Sequence, residues 1–119
     1  MRHTFTLVIN MEKLYFHEAT IEAVSQNGEI VQFSIEGVHT DNGEVCNVQV
    51  TFNGVHEILR DGCEVDSLFM EMDDGEVLSL ELNSGRANLV VEWNNFVDRQ
   101  SDVKAYQFNY STVTASSPH

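Results

Sequence analysis

The acidic run MEMDDGEVLSLEL, residues 70–82, sets Asp73, Asp74 and Glu76 around Gly75, just ahead of an apolar, strand-like segment. Carboxylates this close together can ligate a hard cation through oxygen. A calcium loop of the EF-hand kind needs oxygen ligands at alternating positions and a closing Glu about a dozen residues after the first. Here the chain turns apolar after Glu76, so the spacing predicts a turn between two strands. The other candidates are His17 with Glu18 in YFHEATI, His56 with Glu57 in GVHEIL, and His39 near Asp41 in GVHTDNG. Traced back from the strand that follows, His17 has the parity of Ala19, Ile21 and Ala23, which predicts an imidazole at the mouth of the core. There it would pin a strand start by hydrogen-bonding a carbonyl or carboxylate, or line a pocket. Three separate turns would have to converge for His17, His39 and His56 to share a metal, so no metal site and no cofactor is expected. Glycine-rich phosphate loops, nucleophile elbows and HExxH are absent from the sequence. Cys46 and Cys63 form no CxxC pair and have no base nearby in sequence, and whether they pair is left open.

The elements that would position these residues are strands. The runs VQFSIEGV, NVQVTF, VLSLEL, NLVVEW and YQFNY alternate apolar and polar residues with period two. Between such runs stand SQNGEI, TDNGEV, RDGCEV and the looser LNSGRA, each with a small turn residue beside glycine. Such pairs supply the positive φ that tight hairpin turns require. The expected strands cover about 4–9, 18–26, 29–37, 45–53, 64–72, 76–83, 86–93 and 103–113. A short helical turn is expected near 54–61, where Val55, Ile58 and Leu59 have helical spacing, and a loop at 94–102. The tail from about residue 114 is expected to fray. The prediction is one all-β domain over 1–119, an antiparallel meander of about seven or eight strands forming a β-sandwich or a small barrel. Trp93, Tyr106, Phe108 and Tyr110 follow the apolar parity of their strands and are expected in the core.

Among 119 residues, 6 are basic and 19 acidic, a formal charge of −13. That charge repels nucleic acid and anionic membrane surfaces, and its natural complement is a basic protein. No run approaches the roughly 20 apolar residues of a membrane helix. A reduced, cytoplasmic protein is expected. The charge is concentrated in the turns. Gln32, Ser34, Asn47, Gln49, Thr51, Gln107, Asn109 and Ser111 give the outward strand faces a polar but uncharged character. Such a face suits hydrogen bonding to a protein partner, or to another copy of this chain as a homodimer. The expected binding residues are His17, Glu18, His56, Gln32, Asn47, Gln49, Gln107 and Asn109.

YFHEATIEAV, VTFNGVHEIL and a late VVEW together resemble a group of small bacterial β-rich domains. Their signature is Phe-His-Asp, then a small and an aliphatic residue, with an aromatic, Gly-Val and an aliphatic further on. Here Phe16, His17, Ala19, Ile21, Val55, Leu59 and Trp93 carry the likeness, with Glu18 in place of the preferred Asp. Some members of the group are immunity proteins of bacterial polymorphic-toxin systems. The resemblance implies a non-enzymatic, cytoplasmic protein that binds and neutralises a partner. A small barrel holding a ligand near His17, with a cavity of roughly 300 Å³ or more, is the second expectation. A hydrolase-like enzyme using His17 with a carboxylate is the third.

Overall fold

The structure, a computed structural model, describes residues 6–118. Among them eleven strands follow one another: β1 (Thr6–Ile9), β2 (Leu14–Tyr15), β3 (Thr20–Asn27), β4 (Ile30–Thr40), β5 (Val45–Asn53), β6 (His56–Arg60), β7 (Cys63–Glu64), β8 (Asp74–Asn83), β9 (Arg86–Asn95), β10 (Gln100–Asn109) and β11 (Thr112–Pro118). One 3₁₀ turn, Met11–Lys13, precedes β2. The chain is all-β, as its alternating runs predict. No helix among the described residues is long and apolar enough to cross a membrane.

Two hairpins turn as expected. Asp61 and Gly62, between β6 and β7, have φ of +52° and +82°, and Ser84 and Gly85, between β8 and β9, have +47° and +85°. Two central residues with positive φ make a type I′ turn, whose twist matches that of the paired strands. The run MDDGEV, in contrast, is not a turn. Asp74, Gly75 and Glu76 begin β8, and Gly75 is buried. A Cβ there would lie 2.5 Å from Val91 Cγ1 and 2.9 Å from Trp93 Cε3, so this glycine serves close packing instead.

Four other expectations are corrected. Residues 54–61 are not helical: His56–Arg60 is β6, paired with β10. A register shift falls in that pairing, and Glu57 has φ +55°, so Val55 and Ile58 both turn inward at a spacing that mimics a helix. The expected strand 64–72 shrinks to β7, and 65–73 is an irregular crossover. The expected strand 103–113 breaks at Tyr110 and Ser111, whose amides bond to the Gly85 and Asn53 carbonyls. The tail does not fray at 114 but continues as β11, paired with β5 and β1.

The strands form one antiparallel sheet in the order β1-β11-β5-β4-β3-β8-β9-β10-β6-β7, with β2 beside β4. It is neither a plain meander, since β11 rather than β6 flanks β5, nor a closed barrel. The sheet folds over on itself. Five strand spacings separate β5 from β10, about 24 Å if the sheet were flat, yet the Phe52 and Phe108 rings meet edge to face at 5.0 Å. Between the two halves lie Val31, Phe33, Val48, Val50, Leu89, Val91 and Trp93, all buried. The halves join through only two pairs between β3 and β8, Thr20 with Glu76 and Ile21 with Gly75.

Beyond this joint β3 has a free edge, and the crossover 65–73 covers it. The Leu68 amide donates to Gln26 Oε1 at 2.8 Å, and Leu68 is buried. Farther along, Glu71 accepts a hydrogen bond from the Tyr106 hydroxyl and sits 3.0 Å from Arg60 Nη1. Tyr106 in turn accepts from Trp93 Nε1 at 2.8 Å. The chain Trp93–Tyr106–Glu71–Arg60 thus carries every polar group from the core to the surface with a partner.

Gly75→Ala should destabilise the fold by about 1–3 kcal/mol in urea unfolding, because its methyl must displace Trp93 or Val91. Tyr106→Phe should cost about 1–3 kcal/mol by stranding the Trp93 N–H and leaving Glu71 with Arg60 as its remaining partner. Burial, and next the Glu71 hydrogen bond, raises the Tyr106 pKa above its ordinary value of 10.0. The unfolded chain therefore loses this proton first. The contribution of Tyr106 is complete below about pH 10 and is lost as pH rises further. Stability measured above pH 10 should fall less steeply in Tyr106→Phe than in the parent chain.

Candidate binding site

His17 lies in the link between β2 and β3, which bridges to β8. Its side chain is 70% exposed, outside the core mouth that parity predicts. Glu18 has φ +69° and interrupts the alternation, so Phe16 and Ala19 turn inward and His17 outward. The imidazole Nδ1 is 2.8 Å from the Leu78 carbonyl, so Nδ1 carries the proton and donates. Beside it the Glu18 amide donates to the Val77 carbonyl, and the Val77 amide to the Ala19 carbonyl, both at 2.8 Å. Nε2 is 3.9 Å from Glu18 Oε1, a loose and exposed pairing. His17 therefore extends the β3–β8 joint by one hydrogen bond.

The other histidines lie elsewhere. His56 is exposed, and its Nδ1 bonds locally to the Gly54 carbonyl at 2.9 Å. His39 is exposed on β4, paired with Tyr15 on one side and Val45 on the other. Among the described residues no three His, Cys, Asp or Glu side chains are placed to hold a metal ion. Cys46 and Cys63 are free thiols.

The polar strand residues divide between two surfaces. Gln32 and Ser34 of β4 and Asn47, Gln49 and Thr51 of β5 share the outer face of the first half. Pairing register extends this face into transverse rows: Ser25, Gln32, Thr51 and Thr114, then Ala23, Ser34, Gln49 and Ser116. Gln32 Nε2 donates to Thr51 Oγ1 at 3.3 Å and Asn53 Nδ2 to Thr112 Oγ1 at 3.2 Å, so neighbours hold one another in place. Across these rows there is no charge. At one end a depression of about 180 Å³ is lined by Glu22, Ser34, Ile35, Asn47, Val48 and Gln49. The contributions of Thr112, Thr114 and Ser116 are not anticipated from the sequence, because a Ser- and Thr-rich tail has the composition of a loose end.

Gln107 and Asn109 do not join this face. They lie on β10, in the half whose outer surface points the opposite way, since the inner faces of the halves pack together. There Gln107 Oε1 accepts from Arg86 Nη2 at 2.9 Å, and Asn109 Nδ2 donates to Glu57 Oε2 at 2.8 Å. That surface is charged, with a depression of about 330 Å³ lined by Glu57, Leu59, Glu64 and Arg86. The eight expected binding residues thus fall into three places: the neutral face, this charged face with His56 on β6, and the His17–Glu18 link.

A third concavity lies next to that link. Met11, Leu14 and Phe16 face Leu80 and Leu82 across a cleft of about 220 Å³ with Glu12 at its rim. It is smaller than the roughly 300 Å³ at the lower end for ligand pockets, and it lies between strands rather than inside a barrel. No protein-family model, curated protein or solved structure matches this chain.

Because the His17 hydrogen bond is solvent-exposed, His17→Ala should cost only about 0.5–1 kcal/mol in urea unfolding. The Leu78 and Val77 neighbourhood should show faster amide exchange in that variant.

Proposed function

We propose that this chain is a non-enzymatic binding protein of the bacterial cytoplasm that captures a basic protein on the neutral outer face of β3, β4, β5 and β11, in the manner of an immunity-type inhibitor. The observation that carries the proposal is the contrast between that face and the rest of the molecule. A chain of charge −13 keeps two adjacent rows across four strands uncharged, with Ser, Thr and Gln at seven of their eight positions, and confines Glu22 and Glu36 to one end of the face. Each of these side chains can donate or accept, so the face reads backbone and side-chain polar groups without a charge to desolvate. Four strands about 4.8 Å apart and seven residues of about 3.3 Å span roughly 19 Å by 23 Å. That is about half the ~800 Å² each partner contributes to a stable interface. A stable complex must therefore also engage the surrounding acidic residues, among them Glu22 and Glu36, and these favour a basic partner. The likeness of Phe16, His17 and Ala19 to the immunity-protein group supports the same reading. Self-association through this face is opposed by like charge.

The test is capture from a lysate of the native cells at low salt, read by mass spectrometry, with parent chain, Gln49→Lys and Gln107→Lys. One basic protein should be retained by the parent chain and by Gln107→Lys, lost with Gln49→Lys, and eluted by salt. Both variants should keep their stability within about 0.5 kcal/mol, as exposed substitutions do. Equal capture by all three chains would move the interface off this face.

A further inference from the structure

We propose that the cleft between β2 and β8 accepts an extended, basic polypeptide segment by strand addition to the open edge of β8. The inference goes beyond the neutral face, since it concerns a different surface with its own recognition chemistry. Past the His17–Leu78 hydrogen bond the two flanks separate. β2 stays with β4, pairing Leu14 with Thr40 and Tyr15 with His39, while β8 continues along β9 as far as Asn83 with Arg86. Among the described residues no strand pairing joins β2 to β8.

The register of the hairpin says which backbone groups face the gap. A two-residue turn makes Asn83 and Arg86 a hydrogen-bonded pair, and bonding alternates from there, so Glu81 bonds to β9 as well. Leu80 and Leu82 therefore direct their N–H and C=O groups away from β9, toward β2. Their side chains meet Leu14, Phe16 and Met11 in the apolar cleft. Strand addition requires this combination, unpaired main-chain groups for affinity and apolar pockets for alternate side chains. Residues 78–83 offer an edge about 20 Å long, room for a segment of about six residues.

Charge selects the occupant. Glu12 lines the cleft, Glu18 stands beside His17 at the joint from which the flanks separate, and Glu81 lies on the outward parity of β8 between Leu80 and Leu82. Lys13 is the lone Lys or Arg in the stretches 11–18 and 76–83. An added strand that turns apolar side chains into the cleft turns the alternate ones outward beside these carboxylates. The complementary segment alternates apolar and basic residues.

The probe is an alternating Lys–Val octapeptide at low salt, with two analogues N-methylated either on every valine or on every lysine. Amide exchange by NMR should show Leu80 and Leu82 exchanging about tenfold faster than Ser79 and Glu81 in the free chain, and slowing to match them with peptide. One N-methyl analogue should fail to bind, and Glu81→Lys should weaken the parent peptide about tenfold. Gln49→Lys should bind it unchanged, which separates this site from the neutral face. Four results would each overturn the proposal. The two leucine amides could be slow already in the free chain, or be slowed by raising its concentration alone, the mark of a second copy. The peptide could bind without slowing them. Both analogues could bind as well as the parent, the mark of an apolar ligand site without strand pairing.

Discussion

Two residue pairs hold this protein together as a single sheet. Thr20 with Glu76 and Ile21 with Gly75 are the only ladder positions between β3 and β8, and every other strand belongs to one half or the other. Such a short ladder leaves the halves free to rotate until their apolar faces meet, which is how Phe52 reaches Phe108. The crossing needs close approach, and Gly75 provides it by giving Trp93 the space a side chain would fill. Trp93 then anchors the polar chain through Tyr106 and Glu71 to Arg60. Steric room at one glycine and hydrogen bonding at one indole are thus parts of the same joint.

A short crossing has consequences on both sides, because strands that meet at one point diverge from it. Toward the end of β3, the divergence is filled by the crossover 65–73, with Leu68 buried and Gln26 standing in for a backbone acceptor. Toward the end of β8, none of the described residues fills it. The 3₁₀ turn and β2 bring Met11, Leu14 and Phe16 near Leu80 and Leu82, and a cleft stays between them. His17 marks where closure stops, since its imidazole makes the last link to β8. The residue that looks most chemical in the sequence is here a structural terminus beside an apolar concavity.

Much of this was legible in the residues, for a definite reason. Where strands pair without interruption, period two survives, and β4, β5 and β9 bury Val31, Phe33, Val50, Phe52, Leu89, Val91 and Trp93 as alternation predicts. Where a bulge intervenes, alternation misleads. A register shift between Val77 and Ser79 moves Val77 into the core and separates Leu78 from Leu80 and Leu82, which VLSLEL presents as one face. Positive φ at Glu18 and Glu57 has the same effect near His17 and Ile58, and neither glutamate signals it by type. Gly75 was opaque because a glycine beside two aspartates has the signature of a turn, while its actual constraint is a tryptophan eighteen positions away. The candidate face was half legible: Gln32, Asn47 and Gln49 lie on it, but Gln107 and Asn109 need the fold to show that they point the other way.

The acidic charge, read against this architecture, acts on the edges as much as on the surface. An incomplete sheet with open β8 groups and exposed Tyr15, Val45, Phe69, Phe96 and Val97 would tend to associate with its own copies. Glu12, Glu18 and Glu81 border the open edge, so a second copy approaching there meets like charge. The same field attracts a basic chain. Repulsion toward self and attraction toward a cation-rich partner come from one charge distribution, and this lets the protein keep an unpaired edge and a neutral hydrogen-bonding face available at the same time.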